Sequence, residues 1–128
     1  MRYLLDTHAF LWWVMDDRRL SGRVRALIQD PENELLFSAA SAWEIAIKAR
    51  LGRIRLQGDP REVIPQQLVA NGFAQLAIET PHALEVATLP LLHRDPFDRL
   101  LVAQALLEGL PLLSADPAIA QYDIPVIW

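Results

Sequence analysis

Residues 2–15, RYLLDTHAFLWWVM, pass from a short apolar run at 2–5 through Asp6 into a longer apolar stretch at 9–15. The first run suits a buried strand and the second suits a helix by its length, so the order is strand, acid, helix. Ser21 opens a helix through Ile28 that Asp30-Pro31 closes, and Glu34-Leu35-Leu36-Phe37 predicts a second buried strand.

Farther along, Ser41-Ala42-Trp43-Glu44 has the S-x-x-E spacing of a capping box, which predicts a helix start there and an end at Gly52. Residues 60–70 predict another helix, 73–78 a third strand, and 81–89 a helix with Pro81 at its first position. In Asp95-Pro96-Phe97-Asp98, Asp95 can cap, Pro96 takes the first helical position, and the helix runs to Glu108 before Gly109. Residues 112–114 and 126–128 predict two last short strands. Strands alternating with helices imply parallel pairing with helices on both faces. The expected fold is a three-layer α/β domain with a central parallel sheet of four to five strands, one domain spanning 1–128.

A chain of 128 residues, 52% hydrophobic and 22% charged, can bury one ordinary core but not two. It has no cysteine, which removes a disulfide framework and thiolate zinc sites. Asp6 and His8 interrupt any apolar signal-like region and no later run approaches a membrane span, so a cytoplasmic protein without membrane association is expected. The net charge of -4 argues against a broad basic face for nucleic acid. Positive charge is local instead: Lys48, Arg50, Arg53 and Arg55 cluster, and Arg94 and Arg99 flank the Asp95/Asp98 motif.

Asp6, Asp95, Asp98 and Asp116 fall where strands hand over to helices, and Glu44 falls in the predicted first turn of a helix that follows a strand. In an open α/β sheet these positions share one edge, where ligands bind. Each acid alone is explained by capping. Together they would repel one another, and a divalent cation is the natural remedy. Oxygen-only ligands favour magnesium or manganese over zinc. His8, His82 and His93 lack metal-binding spacing and are expected at the surface or at helix ends. Lys48 lies one turn beyond Glu44, where an i,i+4 pair is its simplest role. Trp12, Trp13 and Trp43 stand among apolar helical neighbours and are expected in the core or an interface, not against RNA.

The segments LLDTHAFLWW, SAASAWEIAIKARLGRI, HRDPFDRLLVAQAL and LLSADPAIAQYDIPVIW, in this order and spacing, closely resemble PIN-domain ribonuclease toxins of the VapC type. The resemblance implies a PIN fold, cleavage of single-stranded RNA with Mg2+ or Mn2+, and a small cognate antitoxin that binds DNA. It assigns Asp6, Glu44, Asp98 and Asp116 as the catalytic and metal-binding acids, with Thr7 and Ser114 supporting them. Asp95 is an additional acid that either binds metal or only caps. A homodimer is expected both from the resemblance and from the apolar surface of Trp12, Trp13 and residues 100–107.

Three rivals remain to be weighed. A phospho-receiver domain needs a lysine near the end of a late strand, and the only lysine here is Lys48. A PIN-like scaffold without catalysis sits poorly with Asp6, Glu44 and Asp98 all in place. Against a PIN nuclease for RNA processing or repair without an antitoxin, the chain's minimal length and lack of extra RNA-binding modules favour the toxin.

Overall fold

Side chains in a strand alternate between faces, and that alternation divides the core in two. The computed structural model describes every residue from Met1 to Trp128. In β1 (Arg2–Leu5) Tyr3 and Leu5 face one side and Leu4 the other; in β2 (Glu34–Ser38) Leu35 and Phe37 oppose Leu36. One face is covered by α1 (Thr7–Val14), α2 (Gly22–Gln29), α3 (Ala39–Arg50) and α4 (Pro60–Asn71), through Phe10, Val24, Ile45, Ile64 and Leu68. The other is covered chiefly by α6 (Pro96–Glu108), through Leu101, Val102 and Ala105, with Ile119 and Tyr122 beside it. The expected three layers are present.

The remaining strands are β3 (Ala74–Leu76), β4 (Leu112–Leu113) and β5 (Val126–Ile127), and the order β3-β2-β1-β4-β5 is parallel throughout. From β1 the chain steps outward to β2 and β3, then returns to the opposite edge of β1 as β4. The carboxyl ends of β1 and β4 therefore flank the point where strand order reverses, the usual ligand crevice of such sheets. Backbone bonds carry the register past the strand ends: Asp6 N–H donates to Leu113 C=O at 3.1 Å, and Ser114 N–H to Ile127 C=O at 3.1 Å.

Two local expectations are corrected. The third helix begins at Ala39, two residues before Ser41, because the Ser38 hydroxyl at the end of β2 caps it by accepting from Ala40 N–H. Ser41 and Glu44 are thus interior to α3, not a capping box, and both side chains are buried. The predicted helix over 81–89 is instead α5 (Thr80–Glu85) followed by a 3-10 turn at Val86–Thr88. No helix is long and apolar enough to cross a membrane.

Candidate metal centre

Asp6 leaves β1 and caps α1, its Oδ1 accepting from Ala9 N–H at 2.7 Å. Only 4% of its surface is exposed. Burial disfavours its charge, the Ser114 side chain, the Ala9 amide and His8 favour it, and Asp116 disfavours it again, leaving its pKa at about 6.

Glu44 faces inward from α3 against α1. Thr7 Oγ1 lies 2.6 Å from its Oε1 and 2.9 Å from Ser41 Oγ. An ionised carboxylate only accepts, so the Thr7 hydroxyl donates to Glu44 and its oxygen is left to accept from Ser41. The other carboxylate oxygen is paired with the Lys48 ammonium one turn along. Lys48 is disfavoured as a cation by partial burial, but Glu44, with Asp95 and Asp98 behind it, outweighs this and raises its pKa.

Asp95 caps α6, accepting from Phe97 N–H at 2.9 Å and Asp98 N–H at 3.0 Å. That cap places Asp98 in the first turn, where burial and then the charges of Asp95, Glu44, Asp116 and Asp6 push its pKa to about 8. His93 Nε2 lies 3.4 Å from Asp98 Oδ2, and its Nδ1 meets the Tyr122 hydroxyl at 2.8 Å. Arg99 also donates to the Tyr122 oxygen at 2.9 Å, so a chain of polar contacts runs from Arg99 through Tyr122 and His93 to Asp98. Beyond β4, Asp116 is part-exposed; its N–H donates to Ser114 Oγ at 3.1 Å and its Oδ1 accepts from Ala118 N–H at 2.8 Å.

All the acids singled out in the sequence therefore act on Asp98 electrostatically, although they come from α1, α3, α6 and the loop after β4. Their side chains do not close into a ready-made ligand shell of three or more. Several are held by partners of their own: Asp6 and Asp95 as helix caps, Asp116 by the Ala118 amide in the loop, Glu44 by Thr7 and Lys48. The donor set nonetheless suits a hard divalent ion, because the acids bring only oxygen and Lys48 is the one ammonium among them. An apolar groove of about 450 Å³ between α3, α4 and β3, lined by Phe37, Ala42, Ile64, Leu68 and Leu76, contains none of these acids.

Several residues have roles that sequence reasoning missed. Ser41 was hidden by its resemblance to a cap, and His93 by its lack of a spaced histidine partner. His82 is buried, not superficial; Glu79 N–H donates to its Nδ1 at 2.9 Å and its Nε2 meets Glu108 at 2.8 Å. Arg99 is also buried, and its guanidinium donates to the carbonyls of Pro90, Val86 and Leu89, so it is a strut and not a phosphate contact. Arg50, Arg53, Arg55 and Arg94 are exposed. Trp12 and Trp13 are half-buried, Trp12 edge-on to Trp128 at 5.6 Å, whereas Trp43 is 58% exposed and not a core residue.

The PIN domain family model matches residues 3–125. Ribonuclease VapC22 of Mycobacterium tuberculosis is 30% identical over 129 residues, covering 98% of this chain and 97% of that protein. Ribonuclease VapC16 of the same organism is 40% identical over 58 residues, a match covering 45% of this chain and 41% of that protein's length. VapBC2 from Rickettsia felis, in a crystal structure with a DNA fragment from the promoter, superposes with a TM-score of 0.73 at 12% identity, covering 100% of this chain and 99% of that one. That last likeness is one of fold.

Proposed function

The chain belongs to the PIN-domain family and, within it, to the VapC group, and from that premise we propose that it is a metal-dependent endoribonuclease. In this reading it is the cytoplasmic toxin of a toxin–antitoxin pair, a single domain that hydrolyses RNA phosphodiester bonds at its acidic cluster. The observation that carries the chemistry is the gathering of Asp6, Glu44, Asp95, Asp98 and Asp116 into one field with Lys48 as the nearby ammonium. The names of VapC16 and VapC22 support the nuclease activity, and the fold shared with VapBC2 in its complex with promoter DNA supports a small DNA-binding antitoxin as partner.

A phosphodiester resists attack because its anionic oxygens repel a nucleophile. Bound Mg2+ or Mn2+ would neutralise that charge and acidify a water. Asp6 and Asp98 are the principal residues to hold it, with Asp116 at the edge. Asp98, whose pKa its burial and acidic neighbours push to about 8, would hold the cation as the ionised carboxylate, and the cation would relieve that repulsion. Glu44 is fixed by Thr7 and Lys48, which orient its carboxylate either to complete the metal shell or to align the attacking water. Asp95 aims Asp98 by capping the helix that carries it. The products are a 5′-phosphate and a 3′-hydroxyl.

Cleavage of single-stranded RNA by the antitoxin-free protein, with Mg2+ or Mn2+ and with chelator, tests this reading. Cleavage that survives complete chelation would sink it. A homodimer is part of the proposal, and Leu106 and Leu107, each 44% exposed on α6, support it better than Trp12 and Trp13 do. A monomer mass at all concentrations in sedimentation would remove that part.

A further inference from the structure

Trp43 is 58% exposed, in contrast to its sequence neighbours Glu44 and Ile45, which are buried. It stands over Phe97 with ring centroids 5.2 Å apart and planes at 78°. Phe97 in turn lies between Asp95 and Asp98, and the Lys48 ammonium is 6.0 Å from its centroid. One aromatic pair therefore borders the acidic cluster from two of the elements that supply its acids, α3 and α6: Trp43 adjoins Glu44 and Phe97 adjoins Asp98.

A perpendicular contact uses at most one face of the indole, whichever ring contributes the edge. At least one broad face of Trp43 is thus free of Phe97, on a ring that Phe97 holds in place. A half-open aromatic face beside the proposed phosphate-cleaving site matches the way single strands are gripped, by stacking bases on aromatic side chains. An ammonium at the same rim suits the adjoining phosphate. An exposed apolar stripe also continues along α3 to Ile47 and Leu51, but these residues lead away from the acids, and only Trp43 is coupled to them through Phe97.

Resting on the nuclease reading above, we propose that Trp43, braced by Phe97, is a stacking subsite for an unpaired nucleobase of the RNA strand, next to the bond that is cut. Stacking does not distinguish bases strongly, so the subsite selects an unpaired nucleotide and not a particular sequence. It gives the enzyme a reason to refuse duplex RNA, whose bases present no free face. The subsite grips substrate; it takes no part in proton transfer.

The test uses uridine hexanucleotides carrying one 2-aminopurine at successive positions, titrated with antitoxin-free protein in magnesium. The Asp98→Asn background keeps the strand intact, which a gel verifies. Quenching is expected to peak at one position. Trp43→Leu, which keeps apolar packing on Phe97 but has no aromatic face, should abolish that peak and weaken binding about 5- to 100-fold, while Trp43→Phe should restore much of both. Trp43→Ala should behave as Trp43→Leu does, and circular dichroism verifies the fold of each variant. Unchanged quenching and affinity in folded Trp43→Leu overturns the subsite. So does a Trp43→Leu defect confined to self-association or to antitoxin binding, which would make this face a protein interface. The nuclease reading is judged separately by parent cleavage of the same RNA: cleavage without Trp43-dependent quenching defeats only the subsite, and quenching without cleavage defeats only the nuclease.

Discussion

Thr7 and Glu44, 37 positions apart in the chain, are joined by a 2.6 Å hydrogen bond between a buried hydroxyl and a buried carboxylate. It ties the start of α1, directly after Asp6, to the second turn of α3. Thr7→Val keeps the volume and removes the donor, leaving Glu44 with Lys48 alone. A hydrogen bond to a charged group is worth about 1.5–3 kcal/mol, and urea unfolding should report a loss of that size. RNA cleavage by the folded protein should fall about tenfold or more, as expected for a residue that orients a metal-site carboxylate. Thr7→Ser should rescue both. Unimpaired cleavage in Thr7→Val would show that the orientation of Glu44 does not matter.

Asp6 and Asp98 carry pKa values raised from 3.8 to about 6 and about 8. The folded, metal-free protein therefore binds protons more tightly than the unfolded chain does, and stability declines with pH wherever that difference persists. The contribution is fully present below about pH 4, lost for Asp6 once pH has passed about 6, and lost for Asp98 once it has passed about 8. Urea melts in chelator, compared between parent and Asp98→Asn, should show the variant gaining on the parent as pH rises through this window. Magnesium should close the gap by stabilising the ionised parent. A difference that is flat with pH would mean that Asp98 is not burdened in this way.

Arg99 belongs to the frame and not to the substrate path. Its guanidinium supplies the carbonyls of Val86, Leu89 and Pro90 and the hydroxyl of Tyr122, so a change to Met removes four hydrogen bonds and takes the donor away from the buried Leu89 carbonyl and Tyr122 hydroxyl. Arg99→Met should cost about 3 kcal/mol or more in urea unfolding. Arg99→Lys should recover little, since one ammonium cannot match the fork. RNA affinity of the folded fraction should be unchanged, and a selective loss of affinity at full stability would return Arg99 to the phosphate contacts.

What the chain discloses before folding follows from which interactions are local. The layers were legible because Tyr3, Leu5, Leu35 and Phe37 alternate with Leu4 and Leu36, and Asp6, Asp98 and Asp116 were legible as residues at strand-to-helix junctions of a parallel sheet. Glu44 was found for a mistaken local reason. Ser41 and Glu44 carry capping-box spacing, yet Ser38 two residues beyond the core-facing Leu36 captured the cap, and Ser41 was free to support Thr7 across the helix interface. The relay from Arg99 through Tyr122 and His93 to Asp98 joins residues up to 29 apart and leaves no periodic trace. Of the two places expected for Trp43, core or interface, its 58% exposure removes the core, because helical neighbours of mixed burial look alike in sequence and the packing of α3 on α6 decides which face is covered.

Asp98 and Asp95 stand within one turn and separate catalysis from capping. Asp95 accepts two backbone N–H groups at the start of α6, whereas Asp98 accepts none from the backbone and carries the heavier electrostatic load. Asn preserves the size of either side chain, and at Asp95 it preserves most of the cap. Asp95→Asn should therefore lose less than about 1 kcal/mol of stability and leave substantial cleavage. Asp98→Asn removes a buried charge repelled by its neighbours, so the metal-free protein should be as stable as the parent or more so above neutrality. Its cleavage of RNA in Mg2+ or Mn2+ should nevertheless drop by orders of magnitude, since positioned metal catalysis is worth several kcal/mol. Both variants, with Asp6→Asn beside them, are to be assayed at matched concentration and free of antitoxin, with unfolding measured on the same samples. Near-parental cleavage by a folded Asp98→Asn protein would falsify its role as a ligand. Unfolding of Asp98→Asn with retained folding of Asp95→Asn would instead assign Asp98 to the helix start, and the acidic field would lose its central member.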